Sequence, residues 1–371
     1  MNTNNLMDES SIFKVGITLI SGIGDKTIKQ LISYCGSAEA VLKEKKGKLL
    51  KIPGIGEKAA STILSASTLS QAEIIINRSI KENTQLLFFT DDQFPDRLKV
   101  IDDAPCLLHY NGSADLNKSK IISIVGTRRA TLYGQEITRQ LVEDLAPHQP
   151  IIVSGLAYGI DICAHKAALD FGLETIGVMA SGLNIIYPKV HQKQANQMLT
   201  QGGLLTEFNF DEQPEMHNFP SRNRIIAGMS DATIVIEAAQ KGGALITAEI
   251  ANSYNKEVFA IPGDLNKTYS QGCNALIKNH KAQLLTSFKD IENSLHWTST
   301  TVQDKKKQLE SLALTDQERK LVQVLTDKPV TLDEIARKAQ LPISQLSSDL
   351  LTLEFRGVVK SLPGNRYQLN N

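Results

Sequence analysis

The stretch Ile121-Ile122-Ser123-Ile124-Val125-Gly126-Thr127-Arg128 decides the fold. A β-branched apolar run ends at a glycine. A hydroxyl and a guanidinium follow, and an amphipathic stretch begins near Tyr133. That order predicts a buried strand, a tight turn and a helix, the opening of a βαβ unit. Such a turn gathers backbone N–H groups and a helix N-terminus around an anion. The arginine fork matches phosphate geometry, so a phosphate is the expected ligand.

Working outward, apolar strand candidates at 150–153, 175–180, 204–208, 231–238, 258–262 and 283–286 alternate with helical patterns. Those helices begin near Ile160, Val190, Ser221, Leu245 and Gly272. Near-continuous apolar runs suit strands buried on both faces. The alternation predicts an α/β domain with a doubly wound, mostly parallel Rossmann-like sheet. Right-handed crossovers then bring every strand-to-helix turn to one rim.

The rim turns share a chemistry. After Gly126-Thr127-Arg128 come Ser154-Gly155, leading to Asp161, and Ser181-Gly182, leading to Tyr187-Pro188-Lys189. Phe219-Pro220-Ser221-Arg222-Asn223-Arg224 opens a helix, and Lys241-Gly242-Gly243 leads to Thr247. Each has an ordinary explanation. Arg222 or Arg224 can pair with Glu207 or Glu237, Lys189 can be simply solvated, and the glycines can serve turn geometry. Asp161 most simply caps its helix, and His165 is expected to pack near the sheet. Cations on several turns of one rim nevertheless favour an extended polyanion. The expected phosphate-contacting set is Gly126, Thr127, Arg128, Ser154, Gly155, Lys189, Arg222, Asn223, Arg224, Gly242, Gly243 and Thr247.

Before this domain, Leu19-Ile20-Ser21-Gly22-Ile23-Gly24 and Leu50-Lys51-Ile52-Pro53-Gly54-Ile55-Gly56 repeat one pattern. Each is an apolar stretch, then Gly-Ile-Gly, then a helix former. This resembles a helix-hairpin-helix motif, whose turn can meet a DNA phosphate without reading sequence. A small bundle that keeps the hairpin only as architecture explains it equally well. After a polar linker come a helix, a second helical stretch from Val330, a break at Leu341-Pro342, a helix over Ile343–Phe355 and two strands around Pro363-Gly364-Asn365. That order resembles a winged helix. Its would-be recognition helix has no lysine or arginine before Arg356, whereas groove readers carry basic residues for the backbone. A protein-contact or regulatory role is therefore expected there. The expected boundaries are 1–82, 83–297, a linker at 298–311, and 312–371.

Composition narrows the function class. The chain has 371 residues, 42% of them hydrophobic, and a formal net charge of zero. That disfavours a globally basic DNA coat and permits a locally basic groove. Four scattered cysteines without a Cys-x-x-Cys pair suggest reduced thiols in a cytoplasmic protein. No His/Cys/carboxylate grouping has metal-ligand spacing, and neither a P-loop nor a dinucleotide fingerprint is present. No cofactor is expected.

Gly-Thr-Arg, Ser-Gly-Leu-Ala-x-Gly-Ile-Asp, Gly-Leu-Asn-x-x-Tyr-Pro, Phe-Pro-x-Arg-Asn-Arg and Phe-Ala-Ile-Pro-Gly together resemble the DNA-processing protein A (DprA/Smf) family, densely over about 85–290. The resemblance implies a non-enzymatic single-stranded DNA binder of natural transformation, which protects incoming strands, loads the RecA recombinase and forms a homodimer. It points to Arg128, Lys189 and Arg222-Asn223-Arg224 as the matching site residues. Thr127, Thr131 and Asn184 stand where the family often has serine, serine and aspartate. One alternative is an enzyme. Lys241-Gly242-Gly243 to Thr247 and Glu249 is similar to the phosphate turn of nucleoside-monophosphate phosphoribohydrolases, with lysine for the proline and one glycine fewer. A protein–protein adaptor is a weaker alternative.

Overall fold

Alternation within Ile121–Val125 explains why this strand is central. Ile121 and Val125 pack against the helices Asn218–Met229 and Gly243–Ser253 on one face. Ile122 and Ile124 pack against Leu132–Leu145 and Ile160–Asp170 on the other. A period of two therefore buries both faces, as a helix-covered parallel sheet requires. The computed structural model describes residues 9–297, 315–325, 330–339, 341–356, 358–362 and 366–369. They fall into two compact units, divided after Trp297.

The first unit begins with six helices, α1 (Glu9–Thr18), α2 (Asp25–Cys35), α3 (Ala38–Lys43), α4 (Lys46–Leu49), α5 (Glu57–Ser65) and α6 (Leu69–Lys81). The strands that follow are β1 (Gln85–Phe88), β2 (Leu107–Gly112), β3 (Ile121–Val125), β4 (Ile151–Gly155), β5 (Thr175–Val178), β6 (Gly202–Thr206), β7 (Ala232–Val235), β8 (Glu257–Ala260) and β9 (Gln283–Leu284). Between and after them run α7 (Asp96–Lys99), α8 (Leu132–Leu145), α9 (Ile160–Asp170), α10 (Gln192–Met198), α11 (Asn218–Met229), α12 (Gly243–Ser253), α13 (Gln271–Lys278) and α14 (Phe288–Ser294). The nine strands form one sheet in the order β1-β2-β6-β5-β4-β3-β7-β8-β9. It is parallel from β6 to β9, while β1 and β2 pair antiparallel at one edge.

The doubly wound, mostly parallel sheet matches the expected fold. The pattern gave no sign of β1 and β2, which lie outside the strand–helix alternation. Strand β6 starts at Gly202, before the expected 204, because two glycines carry no apolar signal. They admit Tyr110 instead: a Cβ on Gly203 would lie 2.4 Å from its ring.

Gly22 and Gly54 occupy equivalent places in the two hairpins, with φ of 79° and 78°. These are left-handed conformations suited to glycine. The hairpins differ in surroundings. Asp25, opening α2, accepts the Cys106 N–H at 2.8 Å, and Lys29 Nζ donates to Ile101 O at 3.3 Å. The first hairpin is thus docked on the segment leading to β2. The glycines themselves are exposed in both, Gly22 and Gly24 in the first and Gly54 and Gly56 in the second.

The second unit contains α15 (Asp316–Val324), α16 (Leu332–Ala339), α17 (Ile343–Phe355) and the antiparallel strands β10 (Val330–Thr331), β11 (Val359–Leu362) and β12 (Arg366–Leu369), in the order β10-β12-β11. Leu321, Ile335, Leu346, Leu350 and Leu353 form its core, giving a winged-helix arrangement. Ser347, Ser348, Leu351, Thr352 and Phe355 are exposed on α17. The expected linker at 298–311 and the turn Pro363-Gly364-Asn365 lie outside the described residues. Among those described, no helix is long and apolar enough to cross a membrane.

Candidate nucleic-acid interface

Strand order locates the site. The chain winds from β3 through β4 and β5 to β6, then restarts at β7 on the other side of β3. A crevice opens beyond the strand ends at such a switch point. A cavity of about 490 Å³ lies there. It is lined by Gly126, Thr127, Arg128 and Arg129 after β3, by Phe219, Arg222 and Asn223 of α11, by Lys241, Gly242, Gly243 and Thr247 at the start of α12, and by Asp161 and Tyr269.

Tight packing sets the shape of the first turn. Thr127 N–H donates to Glu237 O at 2.7 Å, and Thr127 O accepts from Ile160 N–H at 3.1 Å. A Cβ at Gly126 would sit 2.4 Å from Ile160 Cγ1. Gly159, with φ of 77°, passes so close that a Cβ would lie 2.1 Å from Thr127 O. The turns after β3 and β4 therefore lock together through two glycines.

The helix after this turn does not offer its N-terminus to a ligand. Thr131 Oγ1 caps the Gly134 N–H at 3.1 Å. The buried Glu237 carboxylate accepts Thr131 N–H at 2.9 Å and Thr131 Oγ1–H at 2.6 Å. The protein's own carboxylate thus occupies the place at α8 where phosphate donors were expected. At α12 no side chain caps the N-terminus after Gly242, so its first N–H groups and positive dipole end remain for an anion in the cavity.

The cations divide into two groups. Arg128, Arg129, Lys189 and Lys241 are exposed. Among the described residues none of them forms an ion pair. The Arg128 guanidinium lies 5.1 Å over the Phe219 ring, which fixes its direction at small cost. Arg222, by contrast, is only 5% exposed. It donates through Nη1 to Val178 O, and through Nε to Asn223 Oδ1 at 3.2 Å. Burial pulls its pKa down to about 10, with Asp161 opposing, so it stays charged at neutral pH. Burial likewise pushes Asp161 up to about 6, and the Arg222 charge and the Ala157 N–H hold it from rising further.

Several expected positions belong elsewhere. Arg224 does not line the cavity. It donates to Glu207 Oε2 and Asp103 O, and lies 3.9 Å from Asp25 Oδ2. Its expected place on the phosphate rim is corrected to an internal tie between α11, the end of β6 and α2. Ser154 is buried, with Oγ donating to Ile124 O at 2.5 Å. Gly155 lies beneath the charged pair: a Cβ there would be 2.6 Å from both Arg222 Nη1 and Asp161 Oδ2. Both support the site without reaching it. Lys189 lines neither cavity; it follows Tyr187 and Pro188, which with Arg128 and Phe219 help wall a smaller cavity of about 50 Å³. Tyr187 and Phe219 rings are 6.1 Å apart.

Glu249, the acid of the enzyme alternative, pairs with Lys281 at 3.0 Å and does not line the cavity. His165 bonds Thr175 Oγ1 and Gly155 O, each at 2.7 Å, and burial draws it down to about 4. It is a packed, neutral side chain. Lining residues that the expected set omitted include Asp161, Phe219, Arg129, Lys241 and Tyr269. Arg129 and Lys241 are adjacent to motif positions. Tyr269 enters from the loop after β8 with no motif to announce it, holding the Ala238 N–H with its carbonyl at 2.7 Å.

Comparison with known proteins agrees with the fold. Residues 85–296 match the family model of DNA recombination-mediator protein A, 305–365 that of the DprA winged helix domain, and 16–67 that of the SAM-like helix-hairpin-helix tandem. The Smf protein of Synechocystis is 32% identical over 94% of this chain and 96% of its own. The X-ray structure of DNA processing protein A from Streptococcus pneumoniae aligns with a TM-score of 0.66 at 32% identity, covering 77% of this chain and 97% of that one. DNA processing protein A from Helicobacter pylori, described for its single-stranded DNA binding mode, aligns with a TM-score of 0.52 at 31% identity, over 57% and 95% of the two chains.

Proposed function

The chain belongs to the DNA recombination-mediator protein A family, and from that premise we propose that it binds single-stranded DNA by its phosphate backbone along the rim cavity. In this reading it protects incoming strands during natural transformation, passes them to RecA, works in the cytoplasm as a homodimer, and performs no chemistry on the DNA. The observation that carries it is the set of exposed cations at the switch point, Arg128, Arg129 and Lys241, around the uncapped start of α12. Arg128, Lys189 and Lys241 are the charge anchors. Arg222 sets the floor of the cavity and holds Asn223 in place. Binding of this kind is sequence-tolerant and weakens steeply with salt, because each phosphate contact releases counterions.

The test is a salt titration with oligo-dT and mixed-sequence oligonucleotides. Arg128→Ala should weaken binding to both about tenfold at low salt and reduce the salt slope by about one. Arg139→Ala, which removes an exposed cation paired with Asp170 away from the cavity, should do neither. Unchanged affinity and slope for Arg128→Ala would refute the assignment.

A further inference from the structure

The rim turn that carries Tyr187, Pro188 and Lys189 is held by more than the sheet. The loop after β6 lies directly against its base. Gly182 N–H donates to Glu212 O at 2.9 Å. Asn184 Nδ2 donates to Asp211 Oδ1 at 2.8 Å, and Asp211 N–H donates back to Asn184 Oδ1 at 3.0 Å. The Asn184 amide serves both directions at once, where an ionised aspartate could only accept. The approach is close: a Cβ on Gly182 would fall 2.4 Å from Asn209 O.

The same loop is gripped from its other side by the helical segment. Arg78, in the last turn of α6, sends Nη1 to Asp211 Oδ2 and Nη2 to Asp211 Oδ1, the second at 3.0 Å. Its Nε donates to Glu82 Oε1 at 2.7 Å, and its guanidinium lies 4.7 Å over the Phe210 ring. Phe210 in turn packs edge-on against His109 of β2, with ring centroids 5.3 Å apart. Arg78 first, then Asn184, holds the Asp211 carboxyl below its ordinary range. A lone exposed ion pair would count for little. A two-pronged fork that is also stacked on a ring fixes direction as well as distance.

We propose that Arg78 is a positioning residue for the DNA site, acting through Asp211 and Asn184 to hold the Gly182–Lys189 turn, whose Tyr187 and Pro188 wall the smaller cavity beside Arg128 and Phe219 and are followed by the exposed Lys189. The helical segment then governs strand binding without touching the strand. This rests on the single-stranded DNA reading, and its test has one arm that does not.

The DNA-free arm is amide hydrogen exchange on the full-length protein. Arg78→Ala should speed exchange at Gly182 and Asp211 and leave the sheet amide of Ile236 unchanged. Unchanged exchange at the first two overturns the latch. The binding arm uses opposite charges. If Arg78 and Asp211 acted on DNA as point charges, Arg78→Ala would weaken and Asp211→Ala would strengthen oligo-dT binding. The latch requires both to weaken it, by about fivefold, a typical size for indirect coupling. Neither should add to the loss from Lys189→Ala, since both work through the turn that carries Lys189. Melting should stay within about 3 °C of wild type, as for other exposed pairs. Tighter binding by Asp211→Ala, or full additivity with Lys189→Ala, overturns the proposal. If the wild-type protein fails to bind oligo-dT, the DNA reading falls and the positioning role with it, while the exchange result still decides whether the latch exists.

Discussion

Arg128 and Arg222 border one cavity and answer to different physics. Arg128 is exposed and braced on Phe219, so its charge is available to a phosphate. Arg222 is buried and committed to Val178 O and Asn223, and its loss would strand Asp161 in a desolvated site. Asp161 makes the cavity sensitive to pH. Its pKa is raised to about 6 by burial, so it is ionised above that value and neutral below it. A negative charge beside the cations repels phosphate, and protonation removes it. Oligo-dT affinity should therefore rise several-fold as pH falls from about 7.5 to 5.5, and Asp161→Asn should abolish that rise. The stability sign follows from the same shift. The folded state holds the Asp161 proton more tightly than the unfolded chain, so this group's contribution is lost as pH rises from about 4 to about 6. Asp161→Asn should remove this pH dependence in urea unfolding between about pH 4 and pH 7, while leaving the buried Arg222 charge without its carboxylate partner and so lowering stability at both ends.

At the scale of elements, α11 shows what the sequence could and could not reveal. Phe219, Arg222, Asn223 and Ile226 line the cavity, and their spacing of i, i+3, i+4, i+7 is one helical face. Arg224 is two residues from Arg222, which turns it roughly 200° away on a helix. Taken as a motif, Arg-Asn-Arg suggests three contacts; taken as a helix, it separates them. The turn after β3 was legible for the opposite reason, because an apolar run, a glycine and an arginine are local. What removed the expected anion role of α8 was Glu237, which is over a hundred residues away in sequence and fills the helix N-terminus from just beyond β7. Locking of the β3 and β4 turns gives a sharp expectation. Gly159→Ala demands a left-handed conformation at 77° and meets backbone at 2.1 Å, so no rotamer change relieves it. It should cost more than about 2 kcal/mol in urea unfolding and weaken DNA binding together with stability. Gly243→Ala meets nothing within 4 Å and has no positive φ, and should stay within about 0.5 kcal/mol of wild type.

Across the whole molecule, charge is spent locally. A chain with 40 basic and 40 acidic residues has no general attraction for nucleic acid, so binding must come from placement, and the switch point is where the topology concentrates it. Among the described residues, helix α17 of the winged-helix unit does not repeat that placement. It exposes serines, a threonine, Leu351 and Phe355, a surface suited to apolar contact with protein more than to counterion release. The first unit, ending at Trp297, has its own cores and sheet, and Trp297 is itself buried in one of them. A chain truncated after Trp297 should therefore fold and bind oligo-dT within about twofold of the full chain. Its slope of log affinity against log salt should also be the same, because the slope counts phosphate contacts independently of overall affinity. A slope shallower by about two in the truncated chain would mean that the winged helix supplies phosphate contacts of its own, and the assignment of DNA binding to the rim alone would fail.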